Sequence, residues 1–186
     1  MTKSTTIDLQ DRIDEIRDEK IPSIEESKRD LAREAKEEYE TADDAPAKYH
    51  QAHREFEEDI AELEEEASAH EDFIERHGTG EFTIRKLDGS QLLRLEDEVN
   101  DASFEVDPER EEIEGVPKNG FRKAMFTRLA LVDYPDSCPE TDRGYCDVGA
   151  FDGDVYSFLF EKVKLFNNTG QTDLGNSSLA DTMQDV

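Results

Sequence analysis

Tryptophan is absent from this 186-residue chain, and cysteine occurs only twice. Two cysteines cannot build a disulfide-stapled mini-domain or a four-cysteine zinc site. Cys138 and Cys146 flank a segment containing Pro139 and Gly144. They read as a reduced pair, with a disulfide as the alternative. Long apolar runs are missing too: nothing approaches the roughly 18 consecutive apolar residues of a membrane span. The opening Met1-Thr2-Lys3-Ser4-Thr5-Thr6 is polar, so neither a signal peptide nor a membrane segment is expected. Cations are scarce, with 22 Lys and Arg against 49 Asp and Glu and a formal net charge of −27. No basic stripe exists to neutralise phosphates, so direct nucleic-acid binding is not expected. The phosphate-binding, dinucleotide, zinc-protease and nucleophile-elbow motifs are all missing. Histidine does not occur beyond residue 77, which removes the commonest general base from the second half. The expectation is a non-enzymatic protein with no catalytic residue, no cofactor and no metal.

What is present is acid, spread evenly. Residues 1–78 hold 26 acids against 11 bases, and residues 79–186 hold 23 against 11. A disordered acidic tail would concentrate the charge and lack apolar periodicity. A nucleic-acid mimic is a second reading. The preferred one is adaptation to a salt-rich environment. Molar salt shrinks the Debye length to about 3 Å, so repulsion between like charges is weak there.

The first half carries a helical signal. Asp43-Asp44-Ala45-Pro46 reads as a turn and helix start. From there Tyr49, His53, Phe56, Ile60, Leu63, Ala67, His70 and Ile74 alternate steps of four and three, as a coiled-coil seam does. Gly78 and Gly80 end it. Upstream, Leu9, Ile13, Ile16 and Lys20, then Ile24, Leu31, Ala35 and Tyr39, form a partner seam broken near Pro22. A kink or restart is expected there, with Ser23 and Glu26 as a capping box. The short link at 42–45 predicts antiparallel neighbours. The competing arrangement is an intermolecular coiled coil. His50, His53 and Glu57 could share a face as metal ligands, but His53 and His70 read better as polar residues fixing register, and His77 as a cation closing the helix.

The second half alternates like a strand over Glu81–Leu87, then turns at Asp88-Gly89, with Ser90 capping a helix through Leu92, Leu93, Leu95 and Val99. Ala102, Phe104 and Val106 suggest another short strand, and Gly115 to Gly120 a turn-rich link. A helix carries Phe121, Met125, Leu129 and Val132 and ends at Tyr134-Pro135. Residues 135–150 read as irregular. A last helix begins at Asp152 or Asp154, carries Val155, Phe158, Leu159, Val163 and Phe166, and closes at Gly170. Asp147, Asp152 and Asp154 fail the spacing of a calcium loop. The glycosylation-like Asn167-Asn168-Thr169 and Asn176-Ser177-Ser178 read as chance matches. The fold class expected is mainly α with some β: a long N-terminal antiparallel helical hairpin or coiled coil over 1–78, a small helical domain with one or two short strands over 79–170, and a polar tail over 171–186.

Phe82-Thr83-Ile84-Arg85-Lys86-Leu87-Asp88-Gly89-Ser90, Phe158-Leu159-Phe160-Glu161-Lys162-Val163 and Phe166-Asn167-Asn168-Thr169-Gly170 together resemble small morphogenesis proteins of haloarchaeal head-tailed viruses, of the tail-assembly chaperone or virion structural type. The resemblance implies a protein that works through contacts with viral structural proteins or with itself, as a homo-oligomer or part of a larger assembly. It implies the host cytoplasm as the place of synthesis and the virion as a second location. Tyr49, Phe56, Ile60, Leu63, Phe158 and Phe166 are the expected interaction residues. A cellular coiled-coil adaptor of an extreme halophile is the alternative.

The charge pattern generates one prediction. On dialysis from molar salt to about 10 mM, circular dichroism should report loss of the native fold as screening disappears. A cooperative fold that persists unchanged at about 10 mM salt would sink the halophilic reading.

Overall fold

The computed structural model describes residues 3–38, 47–105, 112–113, 116–142 and 144–168. Its element order is β1 (Ser4–Asp8), α1 (Leu9–Asp14), a π-helical segment (Glu15–Lys20), α2 (Ile21–Glu38), α3 (Ala47–His77), β2 (Glu81–Arg85), α4 (Gly89–Glu105), β3 (Glu112–Ile113), β4 (Val116–Pro117), α5 (Lys118–Ala130), β5 (Leu131–Asp133), a 3-10 turn (Val148–Ala150) and α6 (Gly153–Asn168). The protein is mainly helical with a small antiparallel sheet of order β1-β2-β5. β3 and β4 form a separate two-stranded ladder.

The first strand is a finding that helical periodicity hid. Thr5, Thr6 and Ile7 are β-branched and favour extended backbone. They pair with β2 in the register Thr5↔Ile84 and Ile7↔Phe82. Asp8 ends the strand and caps α1, its carboxylate accepting from the Gln10 amide at 2.9 Å. Leu9, Ile13 and Ile16 then face inward and are buried. The expected break near Pro22 takes a different form: the helix runs on, widened into π geometry over the preceding turn, where the Ile21 amide reaches back five residues to the Ile16 carbonyl. A proline crowds the carbonyl four residues before it, and a widened turn relieves that crowding. Ser23 therefore lies inside a helix rather than at a cap, and its carbonyl accepts from the Ser27 hydroxyl at 3.1 Å. The 42–45 link, Tyr39 and the Asp43–Pro46 helix start fall outside the described residues.

α3 contains no glycine or proline and is rich in alanine and glutamate, so nothing interrupts it for 31 residues. It stops at Gly78, which adopts φ +78° and donates to the Ile74 carbonyl at 2.7 Å. The α1–α2 stretch packs along α3. Arg12 meets Glu66, Arg17 meets Glu71 and Lys28 meets Glu57.

Further along, four expectations are corrected. Asp88, not Ser90, caps α4: its Oδ1 accepts from the amides of Ser90 and Gln91 at 2.9 and 3.0 Å. Ala102 and Phe104 belong to α4 rather than to a strand, and the segment before Phe121 contributes β4 and the start of α5. α5 ends at Ala130, so Val132 sits in β5 and is exposed instead of completing a helical face. Asp152 proves to be the start of α6, its carboxylate accepting from the Asp154 amide at 3.0 Å.

One core draws on both halves of the chain. Ile7, Leu9 and Phe73 join Phe82, Ile84, Leu95, Leu129, Val155, Leu159 and Val163 in a single buried cluster. Polar ties close it. Buried Asn167 accepts from the Leu87 amide at 2.7 Å and donates to the Val163 carbonyl at 2.9 Å, fixing the end of α6 to the exit of β2. Arg85 donates to the Leu129 carbonyl at the end of α5. Phe126 meets Phe160 edge-on, and Phe73 meets Phe151 in the same way.

Candidate functional site

The expected interaction residues occupy two separate places. Tyr49, Phe56, Ile60 and Leu63 lie along α3, each partly buried. Toward the end of the helix the same seam sinks into the core at Ala67, His70 and the unforeseen Phe73. Beside Leu63 and Ile24 a cavity of about 470 Å3 opens between α2, α3 and the start of α6. Five carboxylates line it: Asp59, Glu62, Glu65, Glu66 and Asp154. Burial, then the neighbouring charges of Asp152, Glu66 and Glu65, push the Asp154 carboxyl above its ordinary range.

Phe158 and Phe166 lie elsewhere, on a groove of about 360 Å3 between β1, α1 and α6. The Phe158 ring also packs 5.3 Å from that of His70, so this residue connects α6 to α3. At the mouth of the groove Arg12 makes a two-pronged pair with Glu66, at 2.7 and 2.8 Å, and a further ion pair with Glu15 at 3.1 Å. The hydrogen bond to Glu66 holds the Arg12 guanidinium more firmly protonated than usual.

The histidines separate by environment. His53 sits 3.6 Å from Glu57 on the exposed part of α3. Among the described residues no group of three or more His, Cys, Asp or Glu is placed to hold a metal ion. Asp147 instead pairs with Arg128 at 2.7 Å, which ties α5 to the 3-10 turn. His77, expected as a helix-end cation, has its basicity lowered by burial and by Arg76. Its Nδ1 lies 2.8 Å from the Ser137 hydroxyl and 3.9 Å from the Cys138 sulfur, and its ring packs tilted against Phe73 with centroids 4.3 Å apart. So a histidine from the first half does reach the second. The cavity that His77 lines is only about 60 Å3, large enough for water. The arrangement serves to clamp the 135–150 loop onto the end of α3. Cys138 and Cys146 are both buried free thiols. Burial pushes the Cys138 thiol up to about 11 and raises Cys146 as well, so both stay protonated and unreactive at neutral pH.

His70 is the most unusual group. It is fully buried, and neither ring nitrogen finds a hydrogen-bond partner among the described residues. The Asp154 backbone lies near the ring but outside hydrogen-bond geometry. Burial lowers its basicity, opposed by Glu66 and Asp154 and assisted by Arg12. The heptad spacing located this residue; its lack of partners could not be read from sequence.

The described residues include no helix long and apolar enough to cross a membrane. No family model matches the chain, and no curated protein or solved structure matches it.

The buried imidazole generates a pH prediction. Its folded pKa lies below the ordinary 6.5, so its neutral form is favoured in the fold. Stability is complete above about pH 6.5 and is lost as pH falls through the depressed value. Relative to His70→Leu, the native chain should lose more stability between pH 7.5 and pH 5 in denaturant melts. Parallel pH profiles for the two proteins would contradict this account of His70.

Proposed function

We propose that this chain is a non-enzymatic assembly or structural protein of a halophilic tailed virus, either a tail-assembly chaperone or a virion subunit, acting through protein contacts. The single observation that carries the reading is the apolar stripe of α3. Tyr49, Phe56, Ile60 and Leu63 are only partly covered, and they lie on a helix of 31 residues. At 1.5 Å per residue that helix is roughly 46 Å long. It extends well past the expected radius of a compact domain of about 100 residues, roughly 13 Å. A stripe left half covered is one that a neighbouring helix can complete.

The finer architectural reading belongs to the same proposal. α1, the π segment and α2 run antiparallel to α3 as a long helical hairpin. Its support is that the Leu9 amide at the start of α1 meets Gly80 just past the end of α3, and that Arg17 reaches Glu71 whereas Lys28, further along, reaches Glu57; the Arg12–Glu66 pair departs from that order. In this reading the helices α1 to α3 are the assembling part, and β1 together with the elements from β2 to α6 forms the body that anchors them. The excess of carboxylate supports a high-salt setting, where apolar burial strengthens and charge steering weakens. Such an interface is therefore held by the aromatic and aliphatic residues of the stripe.

Light scattering in molar salt tests the proposal. The native chain should form an oligomer, or a complex with virion or tail proteins of its virus. Ile60→Asp or Leu63→Asp should weaken that association by about 2–5 kcal/mol, because each forces a charge into an apolar contact. Glu64→Ala, on the exposed face, should leave it unchanged. A strictly monomeric chain that binds none of these proteins would defeat the proposal, as would turnover of a small substrate.

A further inference from the structure

The groove between β1 and α6 is open on a side where the fold would be expected to close it. β1 has only one neighbour in its sheet, β2, so among the described residues its outer edge is unpaired. Such an edge offers backbone donors and acceptors to any extended chain that lies beside it. Next to it, Thr5 and Ile7 on β1 and Phe158, Leu165 and Phe166 on α6 line a trough whose lining also includes Asp8, Asp11, Arg12 and Glu15. Leu165 remains 61% exposed. Lys162 stands in the same groove with its ammonium 5.1 Å from the Phe158 ring centroid. It makes no ion pair among the described residues, in a chain where acids outnumber bases more than twofold.

The chain continues from the rim of this groove. Leu165 and Phe166 belong to the last turn of α6, and residues 169–186 follow. Those eighteen residues contain no lysine or arginine, three aspartates (Asp173, Asp181 and Asp185), and apolar side chains at Leu174, Leu179 and Met183. Eighteen extended residues reach up to about 60 Å, whereas the 16 residues of α6 span about 24 Å. The segment is long enough to double back along the whole helix.

We infer that the β1–α6 groove is the binding site for the chain's own C-terminal segment, residues 169–186. Leu174 and Leu179 bury against Leu165 and Phe166, an aspartate of the segment pairs with Lys162, and its extended backbone adds to the open edge of β1. This inference is independent of the assembly reading, because it rests on residues of β1 and α6 and on none of the Tyr49–Leu63 stripe.

Hydrogen exchange on the full chain tests it. In Leu174→Asp/Leu179→Asp, the β1 amides that do not pair with β2 should exchange at least tenfold faster, while amides of α3 from Leu63 to Phe73 keep their native rates. Leu165→Asp should produce the same local change. Unchanged exchange in β1 would overturn the inference. If the substitutions loosen the whole fold, a second full-length variant decides. Thr5→Cys/Leu179→Cys, oxidised gently at micromolar concentration and peptide-mapped, should give the intrachain 5–179 disulfide. Failure to form it would overturn the inference. So would a disulfide between chains, which would make a second copy the occupant.

Discussion

The structure depends on one close approach. At Gly80 the chain leaving α3 passes directly against the β1–α1 junction. The Leu9 amide donates to the Gly80 carbonyl at 3.1 Å. A Cβ at position 80 would lie 2.9 Å from both the Leu9 Cβ and the Ile74 Cγ1, a separation real side chains do not tolerate. Only glycine lets these backbones meet. From that contact the rest follows: β1 is held in register with β2, Leu9 and Ile13 enter the core beneath α3, and the long helices leave the sheet in a fixed direction. A strand of five residues with a mostly exposed face could not persist as an isolated element. It persists because its C-terminal end is anchored by Ile7 and Leu9 in the core and by the Asp8 cap, while before its first residue the Lys3 carbonyl accepts from the Lys86 amide at 2.8 Å.

Electrostatics then decides what the few cations do. With 49 acids and 22 bases, repulsion is the default on this surface, and each paired cation relieves it at a chosen point. Arg12, Arg17 and Lys28 join the α1–α2 stretch to α3. Arg122 ties α5 to Glu96 of α4 at 2.7 Å, and Arg128 ties it to Asp147. The exposed pairs among them contribute little to stability. Their value lies in selecting which acidic surfaces come together. Arg12 and Arg128 are largely buried, and loss of either would strand carboxylates against one another. The same scarcity leaves the five-carboxylate cavity beside Leu63 without a cation of its own among its lining residues.

Much of the helical architecture was legible because burial leaves a period in the sequence. Leu9, Ile13 and Ile16, the Ala67–His70 stretch, the β2 alternation and the α6 face all follow from spacing alone. The misses have physical causes. β1 is short and one-sided, so its polar residues show no alternation from which a strand could be read. At Pro22 local rules signal a stop, but packing of Ile16 and Ile24 on either side carries the helix through as a π segment. Leu131 to Asp133 carry helix-compatible apolar residues, yet pairing with Thr83 and Ile84 draws them into the sheet, a tertiary influence that no local pattern encodes. Of the expected interaction residues, the positions were readable and their grouping was not. Whether Phe158 faces Phe56 or the β1 edge depends on how α6 docks, and that is set by the distant Asn167–Leu87 and His70–Phe158 contacts.

A single glycine-permitted contact joins the N-terminal strand and helices to the rest of the core. Equilibrium denaturation of Gly80→Ala against Gly89→Ala tests it most directly. Position 89 is open, with nothing within 4 Å of an added Cβ. The account predicts that Gly80→Ala loses about 2 kcal/mol or more through overpacking, while Gly89→Ala changes stability by less than about 0.5 kcal/mol. Equal stability of the two variants would contradict it.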